Sequence, residues 1–163
     1  LSWRSKMPLF TPFYSDTSLV FDTTTLQGLS ANGVRKSVPV DNSAIKAVDV
    51  RLMLDIQLGS TISAGDSIDL YLAAAHDLDV MTDGYVPNAL ETTAVGVPVY
   101  SEPIISIPAP GGFGYIRWEA SLLSYVSSLP RYFSIVFHNK TSSAMNSSHQ
   151  QRLTWIFTTY EYA

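Results

Sequence analysis

The chain contains no cysteine. That excludes a disulfide framework, thiolate chemistry and zinc sites of the cysteine type. It also removes the usual argument for a secreted disulfide scaffold, without fixing a compartment. Charge is scarce too: 15% of residues are charged, against about 25% in average proteins. Beside 46% hydrophobic residues, so few charges suggest that much of the surface meets other protein rather than water. The formal net charge of −4 argues against nucleic acid as a partner, because that needs a basic patch. No apolar run approaches the roughly 20 residues of a membrane span, so no membrane partner is expected. Nothing in the opening residues reads as a signal peptide. Because the chain opens on Leu1 rather than methionine, residues are expected to have preceded it.

Catalytic patterns are missing as well. His76, His138 and His149 fall in three separate segments, and no G-x-S-x-G is present. Gly111-Gly112-Phe113-Gly114 is followed by no GKS or GKT, so it reads as a tight turn rather than a phosphate cradle. Nothing selects a pair among the 14 acidic residues for glycoside cleavage. The chain is therefore expected not to be an enzyme and to carry no cofactor. One acidic stretch invites a metal reading: Asp77, Asp79 and Asp83 lie close to Gly84. Their order departs from an EF-hand loop and no closing glutamate follows, so they are calcium candidates whose alternative is an Asx-rich turn. Asn139-Lys140-Thr141 and Asn146-Ser147-Ser148 are formal glycosylation sequons. Serine-rich loops produce such triplets by chance.

What is present is alternation. From Ala47 to Leu58 the residues Val48, Val50, Leu52, Leu54, Ile56 and Leu58 are apolar, and Asp49, Arg51, Asp55 and Gln57 between them are polar. A strand turns successive side chains to opposite faces, so this segment buries one face and wets the other. That belongs to an antiparallel sheet. Ser18–Phe21 and 34–40 are further candidate strands. Residues 59–65 read as a turn into a strand at 66–74, and the two strands flanking it as a hairpin. Residues 80–98 form a long loop. Residues 99–107 make a broken strand and 108–114 a connector. The segment 115–120 is a strand, 121–128 one or two helical turns, and a strand begins near Arg131. Residues 139–150 form a polar loop. The last strand, 151–162, carries Trp155 and Phe157 on one face and Tyr160 and Tyr162 on the other.

This sums to seven or eight strands with no long helix. The predicted fold is an all-β, antiparallel β-sandwich, either jelly-roll or immunoglobulin-like. A chain of 163 residues suits one domain, burying roughly 70% of its unfolded surface. The expected core is Val50, Leu52, Leu54, Ile56, Leu70, Leu72, Trp118, Phe133, Ile135 and Phe137. Ahead of the domain at 16–163, residues 1–15 read as an extended arm. Pro8 and Pro12 resist helix and central strand, yet Trp3, Leu9, Phe10, Phe13 and Tyr14 are large and apolar. Such an arm either covers part of its own domain or docks on a neighbouring subunit. Tyr71, Tyr115, Tyr132, Tyr160 and Tyr162 are candidates for stacking on sugars or anchoring an interface.

One resemblance follows. Gly65-Asp66-Ser67-Ile68-Asp69-Leu70-Tyr71-Leu72 with Ala75-His76-Asp77 resembles a pattern in tailed-phage virion proteins. So does Leu129-Pro130-Arg131-Tyr132-Phe133-Ser134-Ile135-Val136-Phe137-His138-Asn139-Lys140-Thr141, and Arg152 to Tyr162 closes it. Those proteins are small β-sandwich structural or decoration (cement) proteins. The resemblance covers about residues 47–162, is one of strands and turns, and implies no catalytic residues. It implies a structural virion protein that stabilises a phage head by protein–protein contacts. Its partners would be the major capsid protein or other virion proteins, with the chain a homo-oligomer on the particle and its location the virion. Trp3, Leu9, Phe10, Phe13, Tyr14, Tyr160 and Tyr162 are the expected interface. The alternative is a carbohydrate-binding or receptor-binding module of a fibre or spike.

Overall fold

The computed structural model describes residues 10–14, 18–21, 26–37, 39–75, 103–109 and 112–162. Among them lie ten strands: β1 (Phe10–Tyr14), β2 (Ser18–Phe21), β3 (Val34–Lys36), β4 (Val40–Asp41), β5 (Asp49–Ile62), β6 (Ser67–Ala75), β7 (Ile105–Pro108), β8 (Gly112–Ser121), β9 (Tyr132–Lys140) and β10 (Arg152–Tyr162). Every described ladder is antiparallel.

The pairings follow one rule. The chain folds back on itself as a single long hairpin. In it β1 and β2 share one edge of β10, β3 and β4 share one edge of β9, β5 pairs with β8, and β6 with β7. Rolling that hairpin sets β10 beside β5 and β9 beside β6. Sheet A then runs β1/β2–β10–β5–β8, and sheet B runs β3/β4–β9–β6–β7. This is the strand order of a jelly roll. An immunoglobulin sandwich instead pairs several consecutive strands within a sheet. Here, among the described residues, β6 and β7 are the one such pair.

The rolled order corrects one expectation. β5 and β6 are not a hairpin: β5 lies in sheet A and β6 in sheet B. The connection between them is an arch from one sheet to the other. It needs a positive φ at Gly65 (94°), which glycine adopts without a Cβ penalty. The turn is also shorter than the sequence suggests, since β5 continues to Ile62. Its ladder to β8 shifts register between Gln57 and Thr61.

The core lies between the sheets. Val50, Leu52, Leu54, Ile56, Leu70, Phe133, Ile135 and Phe137 are buried in it, as expected, while Leu72 and Trp118 pack half-buried against it. Ile68, Ile116, Leu122 and Leu153 complete its centre. Phe133 of sheet B meets Trp155 of sheet A edge-on, with ring centroids 6.1 Å apart. That T-shaped contact crosses between the layers.

Two local departures have clear causes. The predicted strand at 34–40 is split into β3 and β4. Pro39 offers no N–H to a ladder, and Ser37 substitutes a side chain for backbone: its N–H donates to Ile135 O (2.9 Å) while its Oγ accepts from Ile135 N (2.9 Å). Asn42–Ile45 forms a helical turn the sequence analysis omits. Asp41 caps it by accepting from Ser43 N at 2.9 Å, the usual N-cap device. The helical reading of 121–128 reduces to a 3₁₀ turn at Leu122–Ser124, after β8 has run on to Ser121.

The connection between β9 and β10, expected as a polar serine-rich loop, is packed. Thr141, Ser143, Met145 and Gln151 are buried. The Gln151 amide acts as a strand residue would: Oε1 accepts from Gln57 N (2.7 Å) and Nε2 donates to Gln57 O (2.8 Å). Asn139 is fully buried. Its Nδ2 donates to Ser30 O (3.0 Å) and Ser143 O (2.9 Å), and its Oδ1 accepts from Thr141 Oγ1 (2.7 Å). An amide so committed cannot accept a glycan, so the first sequon is structural. Asn146 likewise binds Gln57 Oε1 (3.0 Å) and Ser148 N (2.7 Å). Asp66 ties the arch to the same connection by accepting from Ser142 Oγ (2.7 Å) and Ser63 N (2.9 Å). The Ser142 hydroxyl, helped by the Ser63 and Ser142 amides, holds that carboxyl below its ordinary pKa.

Candidate functional site

The structure offers three places to weigh: a terminal ribbon, the outer face of sheet A and the outer face of sheet B. The ribbon gathers most of the expected interface. β10 pairs with β5 from Arg152 to Thr158. Beyond Thr158 its described partner is β1, in the register Phe10↔Tyr162, Pro12↔Tyr160, Phe13↔Thr159 and Tyr14↔Thr158. Five of the expected interface residues, Phe10, Phe13, Tyr14, Tyr160 and Tyr162, therefore lie in one two-stranded ribbon. Pro12 is tolerated there because β1 takes an edge position. Residues 10–14 of the proposed arm are thus a strand of the chain's own sheet A. Trp3 and Leu9 lie outside the described residues. So do the calcium candidates Asp77, Asp79 and Asp83; among the described residues no group of three or more metal-ligating side chains comes together. No helix of the described residues is long and apolar enough to cross a membrane.

Sheet A turns a solvated, charged face outward. Register sets Asp55 between Arg117 on β8 and Arg152 on β10. Arg117 Nε lies 3.5 Å from Asp55 Oδ1 and Arg152 NH2 3.9 Å from Asp55 Oδ2. His149 Nε2 stands 3.7 Å from the same carboxylate and makes no hydrogen bond among the described residues. Nearby, Arg51 and Glu119 close at 2.9 Å. A hollow of about 560 Å³ lies over this face, lined by Met53, Asp55, Arg117, Glu119, Arg152 and Thr154. A second hollow shares Arg117 and adds Tyr115 and His149, whose rings meet edge-on at 5.2 Å. Of the expected tyrosines, Tyr115 is 53% exposed, whereas Tyr71 and Tyr132 are buried and unavailable for stacking.

Sheet B differs. Its outer-face residues Lys36, Asp69, Tyr71, Ala73, Ser134 and Val136 are buried as well, so β6 and β9 are enclosed on both faces. This face carries a polar cluster that the sequence analysis missed. The Asp69 carboxylate accepts from Ser106 Oγ (2.6 Å) and Ser67 Oγ (2.9 Å), with Lys140 Nζ 3.5 Å away. His138 is its cross-strand neighbour. The signal was available: Tyr132, Ser134 and Val136 share a parity that extends to His138. The set does not assemble a nucleophile and base. Both serines donate to the carboxylate rather than to the imidazole, and His138 Nδ1 has no hydrogen-bond partner among the described residues, whereas a triad needs its histidine oriented by the acid.

His138 makes this cluster sensitive to pH. Burial pushes its imidazole below the usual histidine range, against an upward pull from Asp69, with Lys140 adding to the lowering. The unfolded chain then binds a proton that the folded one refuses. Stability is full above the unfolded value of about 6.5 and falls as pH drops toward the lower folded value. Urea midpoints taken from pH 7 to pH 5 should therefore decline. The decline should be shallower in His138→Asn; an equal slope would assign it to other groups.

No family model matches the chain, and no curated protein matches it in sequence.

Proposed function

We propose that this chain is a structural virion protein, a capsid decoration (cement) protein that grips a phage head through protein–protein contacts. The observation that carries the reading is the ribbon. Register gathers Phe10, Phe13 and Tyr14 with Tyr160 and Tyr162 at one edge of sheet A, and aromatic residues are the usual anchors of an interface. The low charge of the chain suits a surface that meets other subunits. Jelly rolls occur in viral capsid proteins but also in lectins and cupins, so fold alone does not select a role. In this reading the major capsid protein is the partner and the chain forms homo-oligomers on the particle.

Purified heads lacking this protein, mixed with the full chain and sedimented, test the proposal. Binding should saturate at a copy number set by particle symmetry. Tyr160→Ala combined with Tyr162→Ala should keep the cooperative thermal transition while losing most of the co-sedimentation. Failure of the unaltered chain to sediment with heads would overturn the role. Normal binding by the double variant would move the contact elsewhere on the chain.

A further inference from the structure

The Asp55 row on the outer face of sheet A is one carboxylate short. Arg51 and Glu119 satisfy each other at 2.9 Å, within the range of a charge-assisted hydrogen bond, about 2.7–2.9 Å. The next row along the strands does not close. There Asp55 serves Arg117 at 3.5 Å, Arg152 at 3.9 Å and His149 at 3.7 Å, all beyond that range. Two guanidinium groups with five donors each thus share one carboxylate. Both are open to a ligand: the Arg117 side chain is 76% exposed and that of Arg152 51%. In a chain of net charge −4, three of the six arginines stand on this single face.

The missing anion has a platform beside it. Tyr115 lies two residues from Arg117 on β8, about 7 Å along the strand, and on the same face. Its ring is half-exposed and is braced edge-on by His149 at 5.2 Å. Arg117 borders both hollows, one reaching Tyr115 and the other reaching Arg152, Met53 and Thr154. A ligand that spans them needs a carboxylate for the arginines and a flat apolar face for the tyrosine. A pyranose with a carboxylate on its ring has both. We infer that the outer face of sheet A binds an acidic sugar. Its carboxylate lies between Arg117 and Arg152, and its ring lies on Tyr115. The site is separate from the terminal ribbon and does not depend on the virion role.

The full chain, ¹⁵N-labelled, is titrated with methyl β-D-glucuronide, with the methyl glycoside of N-acetylneuraminic acid, and with methyl β-D-glucoside. The glucoside matches the glucuronide in ring and differs only in carrying a hydroxymethyl group where the glucuronide has its carboxylate. At least one acidic sugar should bind at millimolar concentration and shift the Tyr115 and Arg117 signals, and the glucoside should not. Arg117→Gln and Arg152→Gln should each weaken binding about tenfold or more, as loss of a charge-assisted contact does; Tyr115→Ala should weaken it too. All three side chains are exposed, so the thermal midpoints should stay unchanged and a lost signal is lost binding. Binding of neither acidic sugar overturns the inference, as does equal binding of the glucoside. Acetate or a glutamate-rich peptide binding as tightly would make the site one for any carboxylate and would also overturn it.

Discussion

Replacing Asn139 by alanine should cost about 3 kcal/mol or more. The side chain sits at full burial and ties two segments to β9: the Leu29–Gly33 turn through Ser30 O, and the β9–β10 connection through the Thr141 hydroxyl and Ser143 O. Its own backbone is engaged too, with N–H donating to Gly33 O (2.9 Å) and carbonyl accepting from Asn32 N (2.8 Å). Truncation strands several of these partners away from water, and each buried unpaired group costs about 1–3 kcal/mol. Asn139→Asp should be worse at neutral pH, because it points a carboxylate at two carbonyl oxygens. Acid should close the gap between the two variants, since a protonated carboxyl donates again. Urea denaturation across pH reads both effects. An alanine variant that unfolds at the same urea concentration as the original chain would show that the turn and the β9–β10 connection hold without this amide.

Phe133→Ala should be of similar size, about 3–5 kcal/mol, the range for a buried phenylalanine cut to alanine. Phe133 is fully buried, and its ring contact with Trp155 is made across the two sheets. The loss therefore opens a void between layers that the rigid ladders on either side cannot collapse to fill. A fall in melting temperature of roughly 10 °C is expected, since 1 kcal/mol moves a domain of this size by about 2–4 °C. A fall of a degree or two would mean that Trp155 swings in to fill the space. Tryptophan fluorescence would report that movement.

Class and core were legible because alternation is a local signal. The period-2 pattern in β5 names Val50, Leu52, Leu54 and Ile56 without knowledge of any partner. Partners were not legible, because they are fixed by contacts remote in sequence. β5 and β6 look like a hairpin only while the chain is read in order. β5 in fact takes β10 and β8 as neighbours, and choosing between those pairings requires both sheets at once. Asn139 shows the same limit for side chains. As a triplet it reads as a sequon; its real partners include Ser30, which no local window contains. For the sites, the aromatic residues were visible, but their convergence in a ribbon depended on the β1–β10 register. The Asp55, Arg117 and Arg152 row required three strands to be aligned before it existed.

The strand pairing also sets when the protein can fold as it is synthesised. The final strand, β10, is central in sheet A, flanked by β5 on one edge and by β1 and β2 on the other. Strand β9, made just before it, is central in sheet B. While the ribosome still holds β9 and β10, β1, β2 and β5 wait without their shared neighbour, and sheet B lacks the central strand that covers the apolar side of β5. High contact order of this kind slows folding and leaves strand edges exposed to aggregation meanwhile. Nascent chains arrested just before Arg152 should therefore be protease-sensitive throughout. Protection should appear in a single late step once β10 clears the exit tunnel.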